Sequence, residues 1–475
     1  MIAIIPAVSS FFVENFGCRA TQADGAAIEQ QLSHKGLSQA STPASANVIV
    51  LNTCTVTAAA DRDVRARIRG IHRHNPDCRI LVTGCYAQRA PEELAALPGV
   101  TWVVGNSHKH CIGGMVADNA NFFPIQSLAN PDRGNPARSA EVHVGDIFAH
   151  TELLSAPVFV AGSDGAGSDR TRPNLKVQDG CDNRCSFCII PSVRGQSRSL
   201  ALADVLAQVN SLVADGYNEL VLSGINLGRW GRDFTGEAAN LHFEDLVRAI
   251  LEHTDLPKLR ISSVEPMDWS DDLIGLLASS PRIARHAHVP LQSGSDDVLR
   301  RMHRKYRPWH YAEKIRRIRD AAPTAAIGAD VMVGFPGESA EEFGETRALV
   351  EELPFTYLHV FQYSSRPGTP SAFMPGQVPA SIVTERSLTL REIASRKRHA
   401  FMESFVGARL SAITFRDSNQ PDTEWTEALT DNYLKLRLKG RHPGNRWLAS
   451  RILGISEDSP QSSGATLVGT VTVDA

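Results

Sequence analysis

Three cysteines crowd into one short loop, at Cys181, Cys185 and Cys188. Their spacing, C-x3-C-x2-C, lets three thiolates face one inorganic centre, and thiolates are the protein ligands of iron–sulfur clusters. A 4Fe–4S cube has four irons, so three cysteines leave one iron open to an exogenous ligand, as a catalytic metal keeps an open position. The alternatives are a structural zinc site, which usually has four closed ligands, or redox cysteines. The spacing favours the cluster.

A second group of cysteines stands at the ends of predicted strands. The strand-like runs SFFVENFG, NVIVLNT and CRILVTG lead into Cys18, Cys54 and Cys85. Helical stretches separate these runs, and strand–helix alternation predicts a parallel sheet. Ligands of such sheets bind beyond the carboxyl ends of the strands, so the three thiols can converge although they are distant in sequence. A buried core thiol is the alternative for any one of them, and it is our interpretation of Cys78 and Cys111.

The composition predicts a globular protein in a reducing compartment. The chain has 475 residues and a net charge of −3, with 42% hydrophobic and 21% charged residues, a length that suggests about three domains. No apolar run approaches the roughly 20 residues of a membrane span, and the opening segment lacks the basic stretch of a secretory signal. Eight cysteines in so long a chain do not indicate a disulfide scaffold. We therefore expect a cytoplasmic protein without a membrane partner.

The strand and helix patterns divide the chain into four regions. Residues 1–120 alternate strands with helices, and residues 121–173 have the Asn, Pro, Gly and Ser content of a linker, to which we assign no chemistry. Residues 174–399 contain six strand–helix units and predict a partial version of the eight-unit α/β barrel. Residues 400–475 predict a small antiparallel barrel. The expected fold class is α/β, with a Rossmann-like parallel-sheet domain, a partial (β/α)6 barrel and a small carboxyl-terminal β-barrel.

The cysteine loop and its neighbours resemble a known family. C-x3-C-x2-C is similar to the signature of the radical S-adenosylmethionine (SAM) enzymes, and GCDNRCSFCIIPSVRGQSRS resembles their methylthiotransferase branch. NTCTVTAAADRDVR and VTGCYAQ resemble the amino-terminal domain of these transferases, whereas FGCRATQAD departs from it at Ala20 or Thr21, where asparagine is usual. The resemblance implies two 4Fe–4S clusters, a SAM-cleaving one and an auxiliary one, each held by one of the two cysteine groups.

The resemblance also implies a reaction. The open iron would chelate the amino and carboxylate groups of SAM, and an electron from a reduced donor such as flavodoxin or ferredoxin would release a 5′-deoxyadenosyl radical. One SAM would methylate a sulfur of the auxiliary cluster, and the radical from another would take hydrogen from the substrate carbon. An inert C–H bond offers no leaving group or acidic proton for ordinary acid–base chemistry, so two clusters make chemical sense.

Polar residues at the later strand ends resemble the SAM-binding face of the family. On pattern alone, each is a satisfied strand-end group or a turn residue. The resemblance implies that LSGINLGRWG holds the SAM amino group, that ISSVEP and LQSGS contact its ribose or methionine part, and that GADVMVGFPGE lies near its adenine. The residues carried over on this basis are Ser223, Gly224, Asn226, Ser263, Glu265, Gln292, Ser293 and Asp330.

Basic residues recur in several stretches and favour an RNA partner. RRMHRKYRPWH, KIRRIRD, RDVRARIRGIHRH and SRKRH predict cationic surfaces, although charge runs are usually solvated faces. In the last region, basic side chains interleave with Tyr433 and Trp447, a combination that suits phosphate contacts and base stacking. That region resembles the TRAM domain with which the family grips tRNA. The alternative is a β-module that only completes the fold.

Within the family, the chain most resembles the branch that acts on N6-threonylcarbamoyladenosine. NTCTVT and ALTDNYLKLR carry this resemblance. It implies a transferase that adds a methylthio group to carbon 2 of this nucleoside at position 37 of tRNA. The alternatives are methylthiolation of isopentenyladenosine in tRNA, methylthiolation of an aspartate in a ribosomal protein and, in a different class, a non-catalytic zinc protein that binds RNA. We expect a monomer, although the sequence leaves the oligomeric state open.

Overall fold

The architecture was obtained as a computed structural model that describes residues 10–118, 140–149, 171–416, 424–456 and 465–472. The expected α/β class is confirmed: a parallel sheet, a partial barrel and a closed β-barrel follow one another along the chain. Most of the predicted linker, including its possible strand APVFVA, lies outside the described residues. Within the described ranges, no helix combines the length and the apolar character needed to cross a bilayer.

The amino-terminal unit is a six-stranded sheet in which all pairs are parallel. Separate apolar cores cover its two faces, and its central strand is buried throughout because helices pack on both sides. The strands are β1 (Ser10–Asn15), β2 (Ser38–Gln39), β3 (Val48–Thr53), β4 (Arg79–Gly84), β5 (Val100–Val104) and β6 (Glu141–His143), in the order β2-β1-β3-β4-β5-β6. The helices are α1 (Arg19–His34), α2 (Ala58–His74), α3 (Cys85–Arg89), α4 (Pro91–Ala95) and α5 (Ile112–Asp118).

Local sequence explains how these helices begin and which face they bury. The Thr57 hydroxyl accepts a hydrogen bond from the Ala60 N–H and so caps α2. Val64, Ile68 and Ile71 recur at helical spacing and are buried against the sheet. The cap and the apolar stripe together fix both the start of α2 and its orientation.

The central unit is the expected partial barrel. Its strands are β7 (Asn174–Asp179), β8 (Arg198–Ser199), β9 (Leu220–Gly224), β10 (Leu259–Ile261), β11 (His286–His288), β12 (Ala326–Val333) and β13 (Tyr357–Gln362). Its helices are α6 (Ile190–Arg194), α7 (Leu202–Ala214), α8 (Phe243–His253), α9 (Asp271–Ser279), α10 (Asp296–Arg301), α11 (Pro308–Ala321), α12 (Ala340–Glu352) and α13 (Ala380–Glu403). Six strands are parallel; the short β8, which the sequence did not predict, returns antiparallel to β7 after the cysteine loop.

Two ladders, parallel except for the β8–β7 pair, make up this barrel, and isolated bridges join them. The ladders are β8-β7-β9-β10 and β11-β12-β13, and the Ser263–His288 bridge continues one into the other. Along β12, Ala329 and Val331 belong to the core formed with the helices. Because side chains alternate along a strand, Asp330 between them faces the concave side. The concave side therefore carries polar groups, while the convex side carries the core.

The carboxyl-terminal unit is a closed barrel of five strands, in the order β14-β15-β16-β18-β17. The prediction of a small β-barrel is confirmed, but the prediction that it is antiparallel throughout is wrong, because β16 and β18 pair in parallel. An odd number of strands cannot close into a ring with every pair antiparallel, so one parallel pair is unavoidable. The strands are β14 (Arg409–Thr414), β15 (Trp425–Thr430), β16 (Lys435–Lys439), β17 (Trp447–Ser456) and β18 (Thr466–Val471).

A buried network of charges joins the first two units. Asp24 of α1 accepts from Lys109 at 2.7 Å and from Arg194 at 2.9 Å, and it also pairs with Lys176 of β7. Asp179 accepts from Lys176 at 2.8 Å and from Arg194 at 2.9 Å. Burial opposes ionisation, but Lys109, Lys176 and Arg194 hold the pKa of Asp24 well below its usual value. Three cations and two carboxylates therefore remain charged between the units. We name these five residues the buried ion network.

Replacing Asp24 with asparagine should destabilise the folded protein. The change keeps the shape of the side chain but leaves three cations with one carboxylate, and breaking a buried ion network typically costs about 3–5 kcal/mol. Thermal unfolding followed by circular dichroism measures the effect. Asp63→Asn, an exposed position on α2, is the matched control and should change stability by less than about 0.5 kcal/mol. Equal melting temperatures for Asp24→Asn and Asp63→Asn would contradict the role given to the network.

Candidate functional site

The three cysteines of the first unit lie at one edge of its sheet. Cys18 follows β1, Cys54 follows β3, and Cys85 opens α3 directly after β4. These strands are parallel neighbours, so their carboxyl ends meet at the same edge. Burial, followed by the nearby Cys85 and Cys18 thiols, raises the pKa of Cys54 to about 11. The structure therefore brings Cys18, Cys54 and Cys85 together, as expected from their positions at the ends of neighbouring parallel strands.

Gly17 allows the approach between two of these loops. Its φ of +109° lies in the left-handed region that favours glycine. A Cβ at this position would stand 2.9 Å from Cys54 Sγ. A side chain here would push the Cys18 loop away from Cys54.

The other three cysteines lie on the loop after β7, where nitrogen donors surround their sulfurs. The Asn183 N–H is 3.4 Å from Cys181 Sγ, and Asn226 Nδ2 is 3.5 Å from the same sulfur. Arg304 Nη1 donates to Cys185 Sγ at 3.2 Å. Burial raises the pKa of Cys188 to about 12. Donors and a buried cation favour the anionic sulfurs that a metal cluster needs.

The chemistry of the two cysteine groups fits a metal centre. Buried thiols with raised pKa values need a metal to keep them deprotonated, and thiolates are the protein ligands of iron–sulfur clusters. In the described part of the chain, His288, Asp330 and His359 form a further group of possible metal ligands, with their ligand atoms within 4.8 Å of one another.

The two cysteine groups share a wall. Cys85 packs against Ile189 and Val193, which follow Cys188 in the cysteine loop. Asn106 links the same elements, because its Nδ2 lies 3.6 Å from Cys85 Sγ and donates to the Val193 carbonyl at 2.7 Å. Cys85 therefore lies against the segment that follows the other three sulfurs.

Arg194 from α6 places a positive charge at the first group. Burial opposes its charge, but Asp179, Cys85, Asp24 and Cys18, in that order, raise the pKa of Arg194 well above its usual value. The positive charge of Arg194, a member of the buried ion network, thus acts on Cys85 and Cys18. The network's excess of one cation over the carboxylates favours anionic thiolates there.

Two of the eight predicted SAM contacts lie against the cysteine loop. Asn226 donates to Cys181, and its buried Oδ1 has no hydrogen-bond partner among the described residues. A ligand ammonium, such as the amino group of SAM, would satisfy that oxygen. Glu265 pairs with Arg304, the residue that donates to Cys185. Burial raises the pKa of Glu265, although Arg304 opposes this.

Four of the remaining predicted SAM contacts have neighbours within the central barrel itself. Ser223 donates to the Leu175 carbonyl at 3.5 Å, and Gly224 lies so close to Gln178 that a Cβ would approach its Cβ to 3.0 Å. The Ser293 hydroxyl lies 3.1 Å from Thr346 Oγ1 on α12, and Ser263 belongs to the bridge between the ladders. Their SAM contacts remain predictions.

The last two predicted SAM contacts are Asp330, which lies between two histidines, and Gln292, which has a positive φ. Asp330 accepts from His288 Nε2 at 3.1 Å and from His359 Nδ1 at 3.2 Å. Despite burial, these hydrogen bonds hold the pKa of Asp330 below its usual value. Gln292 has a φ of +65° and forms a bridge to Val331. His288 and His359 were not singled out from the sequence, although both lie in runs whose composition predicts strands.

Several arginines of two predicted basic stretches are paired with acidic residues. In RRMHRKYRPWH, Arg304 is 8% exposed and points to Cys185, Arg301 pairs with Glu342, and Arg300 pairs with Asp296 four residues earlier on α10. In KIRRIRD, Arg316 pairs with Glu352. Arg304 therefore does not belong to a cationic surface, and the RNA-binding surfaces of the other stretches stay predictions.

The two aromatic residues singled out in the last unit also have structural partners. Trp447 Nε1 donates to the Asn218 carbonyl at 3.0 Å, and Lys258 lies 4.9 Å from its ring. Arg260 of β10 lies over the Tyr433 ring at 5.4 Å. Both rings therefore contact the central barrel, and they hold the carboxyl-terminal barrel against it.

Known protein families match two parts of the chain. Residues 10–105 match an uncharacterised protein family, UPF0004, and residues 175–350 match the radical SAM superfamily. The structure is similar to TsrM from Kitasatospora setae, a radical S-adenosylmethionine methyltransferase, with a TM-score of 0.57 over 77% of each chain. At 16% identity, this likeness shows the fold alone. Membership of the radical SAM superfamily implies one 4Fe–4S cluster and SAM.

Curated relatives cover nearly the whole chain. The threonylcarbamoyladenosine tRNA methylthiotransferase MtaB of Bacillus subtilis is 36% identical over 427 residues, 89% of each chain. The tRNA-2-methylthio-N(6)-dimethylallyladenosine synthase of Acidothermus cellulolyticus is 33% identical, over 92% of this chain and 82% of its own. The resemblance inferred from the cysteine motifs is confirmed. The chain belongs to the radical SAM tRNA methylthiotransferases, enzymes that transfer a methylthio group.

Proposed function

We propose that the chain adds a methylthio group to carbon 2 of N6-threonylcarbamoyladenosine at position 37 of tRNA, using two 4Fe–4S clusters and SAM. The observation that carries the proposal is the arrangement of six thiols in two groups that meet at Cys85, Ile189 and Val193. One group alone would suffice for SAM cleavage. The second group, next to the first, could hold a cluster that donates sulfur to the same substrate.

The residues present assign a role to each group. When bound, the cluster of Cys181, Cys185 and Cys188 supplies an open iron and an electron for SAM, and the cluster of Cys18, Cys54 and Cys85 supplies sulfur. Asn226 offers an unpartnered oxygen to the amino group of SAM. Arg304 holds Cys185 and Glu265 in one arrangement. In the second group Cys54 and Cys85 are buried, whereas Cys18 is exposed, so this group reaches the surface at the Cys18 loop.

A second candidate substrate is isopentenyladenosine in tRNA. The Acidothermus cellulolyticus relative carries the name of the enzyme that makes the corresponding dimethylallyl product, at an identity only slightly below that of the Bacillus subtilis relative. We favour the threonylcarbamoyl substrate because this chain aligns with 89–97% of the length of four relatives that bear that name, at 31–36% identity. Four relatives named for the dimethylallyl product, at 32–33% identity, are matched over 79–82% of their length. We expect a reduced flavodoxin or ferredoxin as electron donor and cytoplasmic action.

The auxiliary cluster can be tested by counting iron. We expect about eight iron atoms per chain after anaerobic reconstitution and about four in Cys54→Ala, with the same loss of acid-labile sulfide. This variant should still cleave SAM to 5′-deoxyadenosine but should form no methylthiolated product. Cys78→Ala, which alters a buried thiol of the apolar core, is the matched control and should keep about eight irons. Full iron and product formation in Cys54→Ala would refute the auxiliary site.

Arg304 should tune the SAM-cleaving cluster. Arg304→Gln removes a cation 3.2 Å from Cys185 Sγ, which disfavours the more negative reduced state, so the reduction potential should fall by tens of millivolts. The rate of SAM cleavage should fall with it. Spectroelectrochemical titration measures the potential. Arg300→Gln, an exposed residue of the same stretch, is the control. An unchanged potential in Arg304→Gln would show that the contact does not act on the cluster.

The substrate can be identified from tRNA nucleosides. Mass spectrometry of tRNA from a strain lacking this chain should show threonylcarbamoyladenosine without its methylthio derivative, and the gene should restore the derivative. Loss of methylthio-isopentenyladenosine instead would establish the second candidate. An unchanged tRNA profile would direct attention to the ribosomal protein.

A further inference from the structure

A cavity lies between the central barrel and the carboxyl-terminal barrel. Its volume is about 490 Å³, within the range of ligand-binding pockets. One side is formed by Tyr357 and His359 of the edge strand β13, and the other by Phe415 and Lys435. The roles proposed for the two cysteine groups do not involve this cavity.

Arg172 gives the cavity a buried positive charge. The residue is 9% exposed, and its Nε and Nη1 have no hydrogen-bond partner among the described residues. Its nearest carboxylate, Glu219, is 3.9 Å away and already accepts from Arg260 at 2.6 Å. Two guanidiniums thus share one carboxylate. A buried guanidinium with unsatisfied donors is costly unless an anion joins it.

The other charged groups of the cavity reinforce this preference. Arg398 and Lys435 also line it. Among the described lining residues one is acidic, Glu427, and it stands directly opposite Arg437 in the ladder between β15 and β16. The cavity therefore selects an anionic ligand of small organic size.

His359 connects this cavity to the concave face of the barrel. Its ring lines the cavity, and its Nδ1 lies 3.2 Å from Asp330 Oδ1 on that face. Ala326 and Thr356, at the beginnings of β12 and β13, also line the cavity. The cysteine loop instead follows the end of β7. The cavity and the cysteines therefore lie toward opposite ends of the same strands.

We propose that this cavity receives the threonylcarbamoyl substituent of the substrate nucleoside, with its carboxylate on Arg172. The inference rests on the proposed function. Carbon 2 and the N6 substituent leave the purine ring in different directions, so the substituent extends away from the cysteines when carbon 2 faces them. An apolar isopentenyl group would leave the Arg172 donors unsatisfied. Arg172 is therefore a specificity-determining residue that separates the two candidate substrates.

The test pairs a change in the protein with a change in the ligand. The substrates are anticodon stem-loops that carry either threonylcarbamoyladenosine or its methyl ester, which lacks the charge. For the wild-type holoenzyme, we expect kcat/KM to be roughly 10- to 100-fold higher for the acid, the range of one charge-assisted hydrogen bond. In Arg172→Gln this ratio should fall to about one, with the loss mainly in KM. Arg172→Lys should keep part of the ratio.

Arg347→Gln is the matched control, because Arg347 is exposed on α12 and should keep the wild-type ratio. Iron content and SAM cleavage without substrate show whether each variant is folded and loaded. If Arg172→Gln does not fold, the wild-type acid-to-ester ratio and the Arg172→Lys ratio decide the question. A wild-type ratio near one, or an undiminished ratio in a folded Arg172 variant, overturns the inference. Failure of the wild-type enzyme on both stem-loops, with product from an isopentenyladenosine stem-loop, instead refutes the proposed function.

Discussion

The buried ion network holds the two cysteine groups in register. Asp24 lies on the helix that begins after Cys18, whereas Asp179 and Arg194 flank the loop of Cys181. Because Asp24 pairs with both Lys176 and Arg194 of the central unit, the network ties the sheet edge to the barrel mouth. Buried charges tolerate little displacement, since each lost pairing leaves a charge without compensation. Ionic contacts therefore act together with the apolar contact of Cys85, Ile189 and Val193 to hold the two cysteine groups next to each other.

The same network shapes the electrostatics of the sulfur chemistry. Its three cations exceed its two carboxylates, and Arg194 brings that excess to Cys18 and Cys85. On the other side, Arg304 places a second buried cation against Cys185. Thiolates in a water-poor site need such charges, because burial alone raises the pKa values of Cys54 and Cys188. Each cysteine group is thus matched by one arginine, and both arginines belong to the central unit.

The central barrel contacts both of the other units. The buried ion network joins it to the amino-terminal sheet, and the carboxyl-terminal barrel closes the far side of the cavity that Arg172 lines. Tyr433 and Trp447 hold that barrel in place through contacts with Arg260 and Lys258.

The sequence by itself predicted the strands of the first unit and the two groups of cysteines that the structure brings together. The apolar runs that end in Cys18, Cys54 and Cys85 indicated parallel strands, and the tight spacing of Cys181, Cys185 and Cys188 indicated a cluster loop. Both signals are local, since a strand or a ligand loop is written in consecutive residues. Only the tertiary structure decided which charges are paired. Arg304 was expected on a cationic surface and lies buried against Cys185, Lys176 and Asp24 meet from different units, and Arg172 lies buried beside the cavity. Their partners are far apart in sequence, and the strength of a charge depends on burial, which no single stretch of sequence specifies.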